Sequence, residues 1–128
     1  MDRFTENMTP QKLIEIILSN TNYLVDLYEN EGGIRDKRMT LKLKQAEMYD
    51  KEQEAREEIF GGKVQIQASR QRDWLKWKTL KPTKEYEMAK HDLYDAMEQK
   101  EILIEIIQTA KIALRVMEME AKSLHLNT

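Results

Sequence analysis

The sequence predicts an all-α protein, a helical bundle or coiled-coil-like hairpin built on one long C-terminal helix. Three observations predict this fold class. Glycine and proline number only four and two among 128 residues, which is typical of long helices rather than of strands and tight turns. No glycine or proline interrupts residues 83–127. Within that stretch, apolar residues return every seven positions, the repeat by which α-helices pack along a seam.

Length and composition fit a single helical domain, residues 1–128. The chain is 41% hydrophobic and 34% charged, which indicates a modest core and much solvated surface. It has no cysteine, so no disulfide framework or thiol nucleophile is expected, and a cytoplasmic location is predicted. The first six residues lack the apolar run of a signal peptide. The most apolar stretch, residues 102–117, holds three charged residues and is too short to span a bilayer.

The first helix is predicted at about residues 10–30. Thr9 can cap free amides, Pro10 loses no hydrogen bond at the first helical position, and Gly32–Gly33 predicts the end. Asn20 falls inside the apolar stripe. If its amide is buried, it could fix the register between packed helices. Alternatively, Asn20 is half-exposed at the edge of the stripe. The predicted core stripe consists of Leu13, Ile17, Leu24 and Tyr28, broadened by Ile14, Ile16, Val25 and Leu27.

The second helix is predicted at about residues 34–60, before Gly61–Gly62. Its inward positions are spaced by seven, and a sparser apolar set lies on the opposite side. The inward set is Ile34, Leu41, Met48 and Ala55, joined by Ile59, and the opposite set is Met39, Leu43 and Ala46. Most other side chains are charged, and pairs such as Glu47 with Lys51 and Glu52 with Arg56 would support a solvated face.

The connector at residues 63–82 is basic and carries both tryptophans. Its start alternates as a strand would, but no second strand-like segment offers a partner, so a loop or irregular helix is preferred. A short helix is predicted from Ser69 to about Leu80. Pro82 is expected to end it, and Thr83 is expected to cap the long helix, residues 83–126.

The long helix presents a heptad seam in which only Lys100 is polar. Heptad position a is occupied by Tyr86, Leu93, Lys100, Ile107, Leu114 and Ala121. Heptad position d is occupied by Ala89, Ala96, Leu103, Ala110, Met117 and Leu124. Lys100 could set register or extend to solvent on its long stem. The pentapeptide at residues 13–17 recurs unchanged at residues 103–107, so both copies are predicted to share a core.

Self-association is predicted from the middle of this helix. Ile102, Ile104, Ile106, Ile112 and Val116 lie outside the seam, so the helix is apolar nearly all round, and one partner helix would not cover it. A homo-oligomer is therefore expected. The predicted oligomerisation core is Leu103, Ile107, Leu114 and Met117.

The connector is also the most strongly charged part of the chain. Residues 63–84 hold seven lysines and arginines and one acid, a charge of +6. Basic side chains neutralise phosphates and indoles stack on unpaired bases, so nucleic acid is one candidate partner. A solvated connector anchored by its tryptophans is the favoured explanation, followed by contact with an acidic protein surface and then by nucleic acid. The candidate contact residues are Arg70, Arg72, Trp74, Lys76, Trp77 and Lys78.

Catalytic and metal-binding patterns are weak. Glu87 and His91 stand four residues apart, with Asp95 one turn further, but they lie away from the seam and no second such motif occurs. Neither glycine pair belongs to a phosphate-binding motif. We therefore predict no catalytic residue, no metal, no cofactor and no enzyme activity.

Short length, the absence of cysteine, a charged second helix and a long C-terminal helix together form a recognisable pattern. The chain in this respect resembles the small all-helical early-region proteins of phages and prophages of Gram-positive bacteria. The resemblance implies a cytoplasmic binding role with a phage or host protein. The leading hypothesis is a non-enzymatic protein–protein interaction protein that self-associates. The alternative is a nucleic-acid-binding accessory protein of recombination or replication that uses residues 63–84, and neither hypothesis involves a membrane.

Overall fold

The computed structural model describes residues 8–126 and, for side chains, residues 8–124. Within that range the chain forms α1 (Pro10–Glu29), α2 (Ile34–Phe60), α3 (Gln71–Lys78) and α4 (Leu80–Leu126), with a 3-10 turn at Ala68–Arg70. No described residue lies in a β-strand. The predicted all-α fold with a long C-terminal helix is confirmed. The first six residues, on which the signal-peptide argument depends, lie outside the described range.

The described residues form two compact units. The terminal unit contains residues 8–33 and 96–126, and so consists of α1 and the C-terminal part of α4. The central unit contains residues 34–95, and so consists of α2, the 3-10 turn, α3 and the N-terminal part of α4. Each unit is a small helical assembly with its own packing.

In the terminal unit, α1 packs against the C-terminal part of α4. Leu13 and Ala110 are completely buried, and Ile107 is 8% exposed. Leu13 and Ile107 belong to the two copies of the repeated pentapeptide, so each copy has a residue buried within the same unit. Burial of one such aliphatic side chain contributes about 1.5–3 kcal/mol. Nearer the end of α1, Lys100 Nζ lies 5.5 Å from the centre of the Tyr28 ring, a cation–π contact within one chain.

The ends of α1 follow from its capping residues. Thr9 Oγ1 accepts a hydrogen bond of 3.2 Å from the backbone N–H of Lys12, and Pro10 occupies the first helical position. After the helix, Gly32 adopts a φ of 75°, a left-handed conformation that favours glycine. Asn20 is half-buried, and its Nδ2 donates to the carbonyl oxygen of Ile16 at 2.7 Å. The Asn20 amide is therefore satisfied by its own helix, as expected for a residue at the rim.

In the central unit, α2 packs through the seven-residue spacing that the sequence shows. Ile34 and Ala55 are buried, whereas Leu41 and Met48 are half-buried. Ala89, on the N-terminal part of α4, is 7% exposed. Two of the three buried hydrophobic residues of this unit are thus alanines, so the unit buries few large side chains. Met39 and Leu43, on the opposite side of α2, remain exposed.

The beginning of α4 differs from the sequence-based prediction. The structure ends α3 at Lys78 and begins α4 at Leu80, so Thr83 is already helical. Pro82 lies in the first turn of α4, where a residue without an N–H removes no helical hydrogen bond. The predicted break at Pro82 is therefore wrong. Thr79, between the two helices, donates from Oγ1 to the carbonyl oxygen of Leu75 at 2.8 Å.

The heptad seam is buried or half-buried from Tyr86 to Met117. Beyond Met117, Ala121 and Leu124 are exposed, and Leu124 retains 70% of its accessible surface. The sequence repeat thus identifies the inward face of α4 correctly over about nine turns, but it continues past the point where α1 covers it. Among the described residues, no helix is long and apolar enough to cross a membrane.

Candidate functional site

The four residues predicted as an oligomerisation core lie on the covered side of α4. Ile107 is buried within the terminal unit. Leu103, Leu114 and Met117 are half-buried on the same seam. Because α1 of the same chain already occupies this side, a second copy would have to displace α1 to reach Ile107. A surface available to a partner must therefore involve other side chains.

The uncovered apolar side chains of α4 form a separate stripe. Ile112, Val116 and Met119 are 63%, 46% and 63% exposed. Their spacing of four and then three residues places them on one face of the helix. At about 100° per residue, that face points away from the side that carries Ile107 and Leu114. We call Ile112, Val116 and Met119 the α4 stripe.

A second uncovered stripe lies on α1. Ile14, Leu18 and Val25 are 40%, 59% and 53% exposed and lie within about 40° of one another around the helix. We call these three residues the α1 stripe. The prediction that Ile14 and Val25 broaden the buried stripe is wrong at both positions. A unit made of two helices covers only one side of each, and Leu13, about 100° from Ile14, takes the buried position.

An open groove lies between the two helices of the terminal unit. Its volume is about 470 Å³, and it is lined by Tyr23, Asp26, Leu27, Asn30, Gln99, Ile102 and Leu103. Tyr23 and Ile102 are 63% and 56% exposed. Uncovered apolar surface therefore occurs on several sides of the terminal unit, as the sequence predicts for the middle of the long helix.

The second candidate surface is the basic segment, residues 63–84 in the central unit. All seven of its basic side chains are exposed. Lys78 Nζ lies 3.9 Å from a carboxylate oxygen of Glu58 on α2. The other six basic residues make no ion pair within the described part of the chain: Lys63, Arg70, Arg72, Lys76, Lys81 and Lys84. Lys81 nevertheless lines a groove with Glu47, Glu54, Glu58 and Glu85. Six of the seven basic side chains thus lack a direct ion pair among the described residues, and Lys81 has acids nearby.

The two tryptophans of this segment have different environments. Trp74 is half-buried, whereas Trp77 is 67% exposed. Lys78 Nζ lies 5.4 Å from the centre of the Trp74 ring and 5.6 Å from that of Trp77, so the two indoles are adjacent. Trp74 thus anchors the short helix α3 to the central unit, and the Trp77 side chain is exposed to solvent.

One lysine connects α2 with α4 in the central unit. Lys44 Nζ lies 3.3 Å from a carboxylate oxygen of Glu85 and 3.3 Å from one of Glu47. The hydrogen bond with Glu85, followed by that with Glu47, raises the pKa of Lys44 above its ordinary value. The predicted pair between Glu52 and Arg56 is present at 2.9 Å. The predicted pair between Glu47 and Lys51 is replaced, because Glu47 bonds to Lys44.

The weak metal motif of the sequence remains a set of surface residues. Glu87, His91 and Asp95 are all exposed on α4. Across the described residues, no group of three or more His, Asp or Glu side chains is arranged to hold a metal ion.

No protein family, curated protein or solved structure matches this chain. Functional inference must therefore come from its own surfaces.

The α4 stripe is the feature that the heptad pattern identifies only in part. Sequence reasoning identifies Ile112 and Val116 as apolar residues outside the seam. It does not identify Met119 or Leu18. A sequence pattern that predicts such an exposed stripe is an apolar residue outside the heptad seam, followed by another apolar residue three or four positions later. Applied to both helices of the terminal unit, that rule finds the α4 stripe and Ile14 with Leu18.

Proposed function

We propose that this chain is a non-enzymatic helical interaction protein that self-associates through its terminal unit, with the α4 stripe in the interface. As the phage resemblance implies, the proposal includes a cytoplasmic setting and a phage or host protein as a further partner. The single observation that carries the proposal is the exposure of Ile112, Val116 and Met119 on a face that no helix of the terminal unit covers.

The small core of the chain supports association. Seven hydrophobic residues are buried in the described part of the chain, and four of them are alanines. The larger three are Leu13, Ile34 and Ile107. Full burial of one large aliphatic side chain contributes only about 1.5–3 kcal/mol, so three such residues offset little of the entropy lost on folding. Covering the exposed isoleucines and valines with another copy would enlarge this core.

A second copy fits the uncovered surface because the chain offers two compatible stripes. The α1 stripe and the α4 stripe are both narrow, apolar and helical, which is the pattern that packs as knobs into holes. In a head-to-tail contact, one copy can present its α1 stripe to the α4 stripe of the next copy. The same chain then supplies both halves of the interface.

The test compares two double variants with matched chemistry. Ile112→Lys/Met119→Lys introduces two charges at positions that are each 63% exposed. Met39→Lys/Leu43→Lys makes the same change on α2 at positions that are 59% and 58% exposed. Light scattering coupled to size-exclusion chromatography reports the mass of each protein, and circular dichroism reports its helix content. We expect the α4 variant to fall to the monomer mass of 15.3 kDa, and the α2 variant to keep the wild-type mass.

Helix content separates dissociation from unfolding. If the dissociated α4 variant also loses helicity, the single variants Ile112→Gln and Met119→Gln are compared over a concentration series, where each should weaken association while remaining helical. The proposal is wrong if the two double variants have the same mass, or if the α2 variant alone dissociates.

A further inference from the structure

We propose that the basic segment, residues 63–84, binds single-stranded nucleic acid, with its lysines and arginines on phosphates and an unpaired base stacked on Trp77. This activity goes beyond self-association and does not depend on it, because the residues involved belong to the central unit. Three observations support it: exposed positive charge, one exposed indole and a groove beside that indole.

Charge complementarity selects a polyanion as the partner. Six exposed basic side chains within 22 residues of sequence have no ion-pair partner among the residues that the structure describes. A closely spaced series of phosphates neutralises such a cluster and releases condensed counterions, which is the main source of affinity for nucleic acids. An isolated carboxylate on a protein surface neutralises only one of these cations at a time.

The exposed indole favours a nucleic acid with unpaired bases over a duplex. Trp77 retains 67% of its accessible surface, although the adjacent Trp74 shows that this part of the fold can cover an indole. Proteins that bind single strands stack bases on aromatic side chains without selecting sequence. In a duplex, the bases are already stacked on one another and leave no face for Trp77.

A groove beside Trp77 supplies the remaining contacts. Its lining consists of Ile66, Arg70, Asp73, Trp74 and Trp77, and its volume is about 540 Å³. Ile66 and Trp74 give an apolar wall for a base, and the Arg70 guanidinium stands where it can reach a phosphate. Asp73, the single acid of the segment, can accept a hydrogen bond from an exocyclic amine of a base.

Fluorescence titration with defined oligonucleotides tests the proposal. The chain holds two tryptophans, so Trp74→Phe leaves Trp77 as the only indole. We expect a mixed-sequence single strand to quench the fluorescence of Trp74→Phe, and the matching blunt duplex to bind on the order of tenfold more weakly. Binding of the single strand should weaken as salt is raised.

Two pairs of variants separate stacking from charge. Trp77→Ala is expected to lower single-strand affinity by about 5- to 100-fold, the usual range for one stacked base, while Trp74→Phe binds as the wild type does. Arg70→Gln/Lys76→Gln is expected to lower the slope of log K against log salt by about 1.4, because two phosphate contacts are lost. Lys42→Gln/Lys122→Gln removes two exposed charges outside the segment and should leave that slope unchanged.

Several results would overturn the proposal. One is the absence of binding at low salt by a chain that circular dichroism shows to be folded. Another is equal affinity for duplex and single strand with no effect of Trp77→Ala, which would indicate general attraction to polyanions. A third is an equal loss from the Lys42/Lys122 control, which would place the charge effect outside residues 63–84. Binding of the segment to the acidic surface of a second copy would appear as self-association that salt abolishes, with no response to oligonucleotide.

Discussion

The terminal and central units leave different kinds of apolar residues exposed. In the terminal unit, five isoleucines and valines are exposed: Ile14, Val25, Ile102, Ile112 and Val116. In the central unit, which is described in full, no isoleucine or valine is exposed. The large apolar side chains exposed there are leucine, methionine and aromatic residues: Met39, Leu43, Tyr49, Phe60, Trp77, Leu80, Met88 and Tyr94.

The central unit joins its helices through Lys44–Glu85 and Lys78–Glu58, and it carries the basic segment. One continuous helix, α4, contributes to both units. α4 therefore exposes isoleucine and valine side chains in the terminal unit, and lysine, leucine, methionine and tyrosine side chains in the central unit.

The largest expected effect comes from the buried leucine of the terminal unit. Leu13→Ala should lower the free energy of unfolding by about 2–5 kcal/mol, because Leu13 is completely buried and its loss leaves a cavity. Leu43→Ala makes the same change at a residue of the central unit that is 58% exposed, and should cost no more than about 0.5 kcal/mol. Urea denaturation measures both, and equal losses would contradict the assigned core.

The next effect concerns the α1 stripe. Leu18→Lys/Val25→Lys should weaken self-association at least about tenfold, since each charge would have to lose its water in the interface. The dissociation constant from sedimentation equilibrium gives the comparison with wild type. An unchanged constant would remove α1 from the interface and leave the α4 stripe to pair with itself.

The two glycine turns should behave alike, although they belong to different units. Gly32 and Gly62 have φ values of 75° and 76°, and a Cβ at either position would meet no atom within 4 Å. Gly32→Ala and Gly62→Ala should each cost about 1–2 kcal/mol through the left-handed backbone alone. Thermal unfolding checks the pair, and a much larger loss at one turn would show that its neighbours also matter.

The smallest effect is the pH dependence of the contact between α2 and α4. The raised pKa of Lys44 means that its contribution to stability is fully present below its ordinary value of 10.5, and is lost as pH rises through the raised pKa. The difference in unfolding free energy between wild type and Lys44→Gln should therefore shrink as pH rises above that value. A difference that stays constant with pH would show that the charge of Lys44 is not responsible.

Much of the fold could be predicted from local chemistry. Thr9 with Pro10 marks the start of α1, and the seven-residue repeat identifies the inward face of α4 from Tyr86 to Met117. The start of α4 could not be predicted reliably, because Pro82 is compatible with both a helix end and a first helical turn. Packing decides between the two.

The candidate surfaces are harder to predict from the sequence than the helices are. Periodicity identifies apolar faces, but it does not say how many of them the chain itself covers. Periodicity therefore predicts Ile107 at an interface between copies and Ile14 in the core, whereas the fold buries Ile107 within one chain and exposes Ile14. The basic segment could be found by counting charges, whereas the difference between Trp74 and Trp77 requires their exposure in the fold.

The mass of the wild-type protein in solution decides whether the chain self-associates. Sedimentation equilibrium over a wide concentration range, at low and at high salt, should give a mass above 15.3 kDa at both salt concentrations, because the proposed interface is aliphatic. A mass of 15.3 kDa at every concentration would contradict self-association. A larger mass that falls to 15.3 kDa only at high salt would assign assembly to charges rather than to the two stripes.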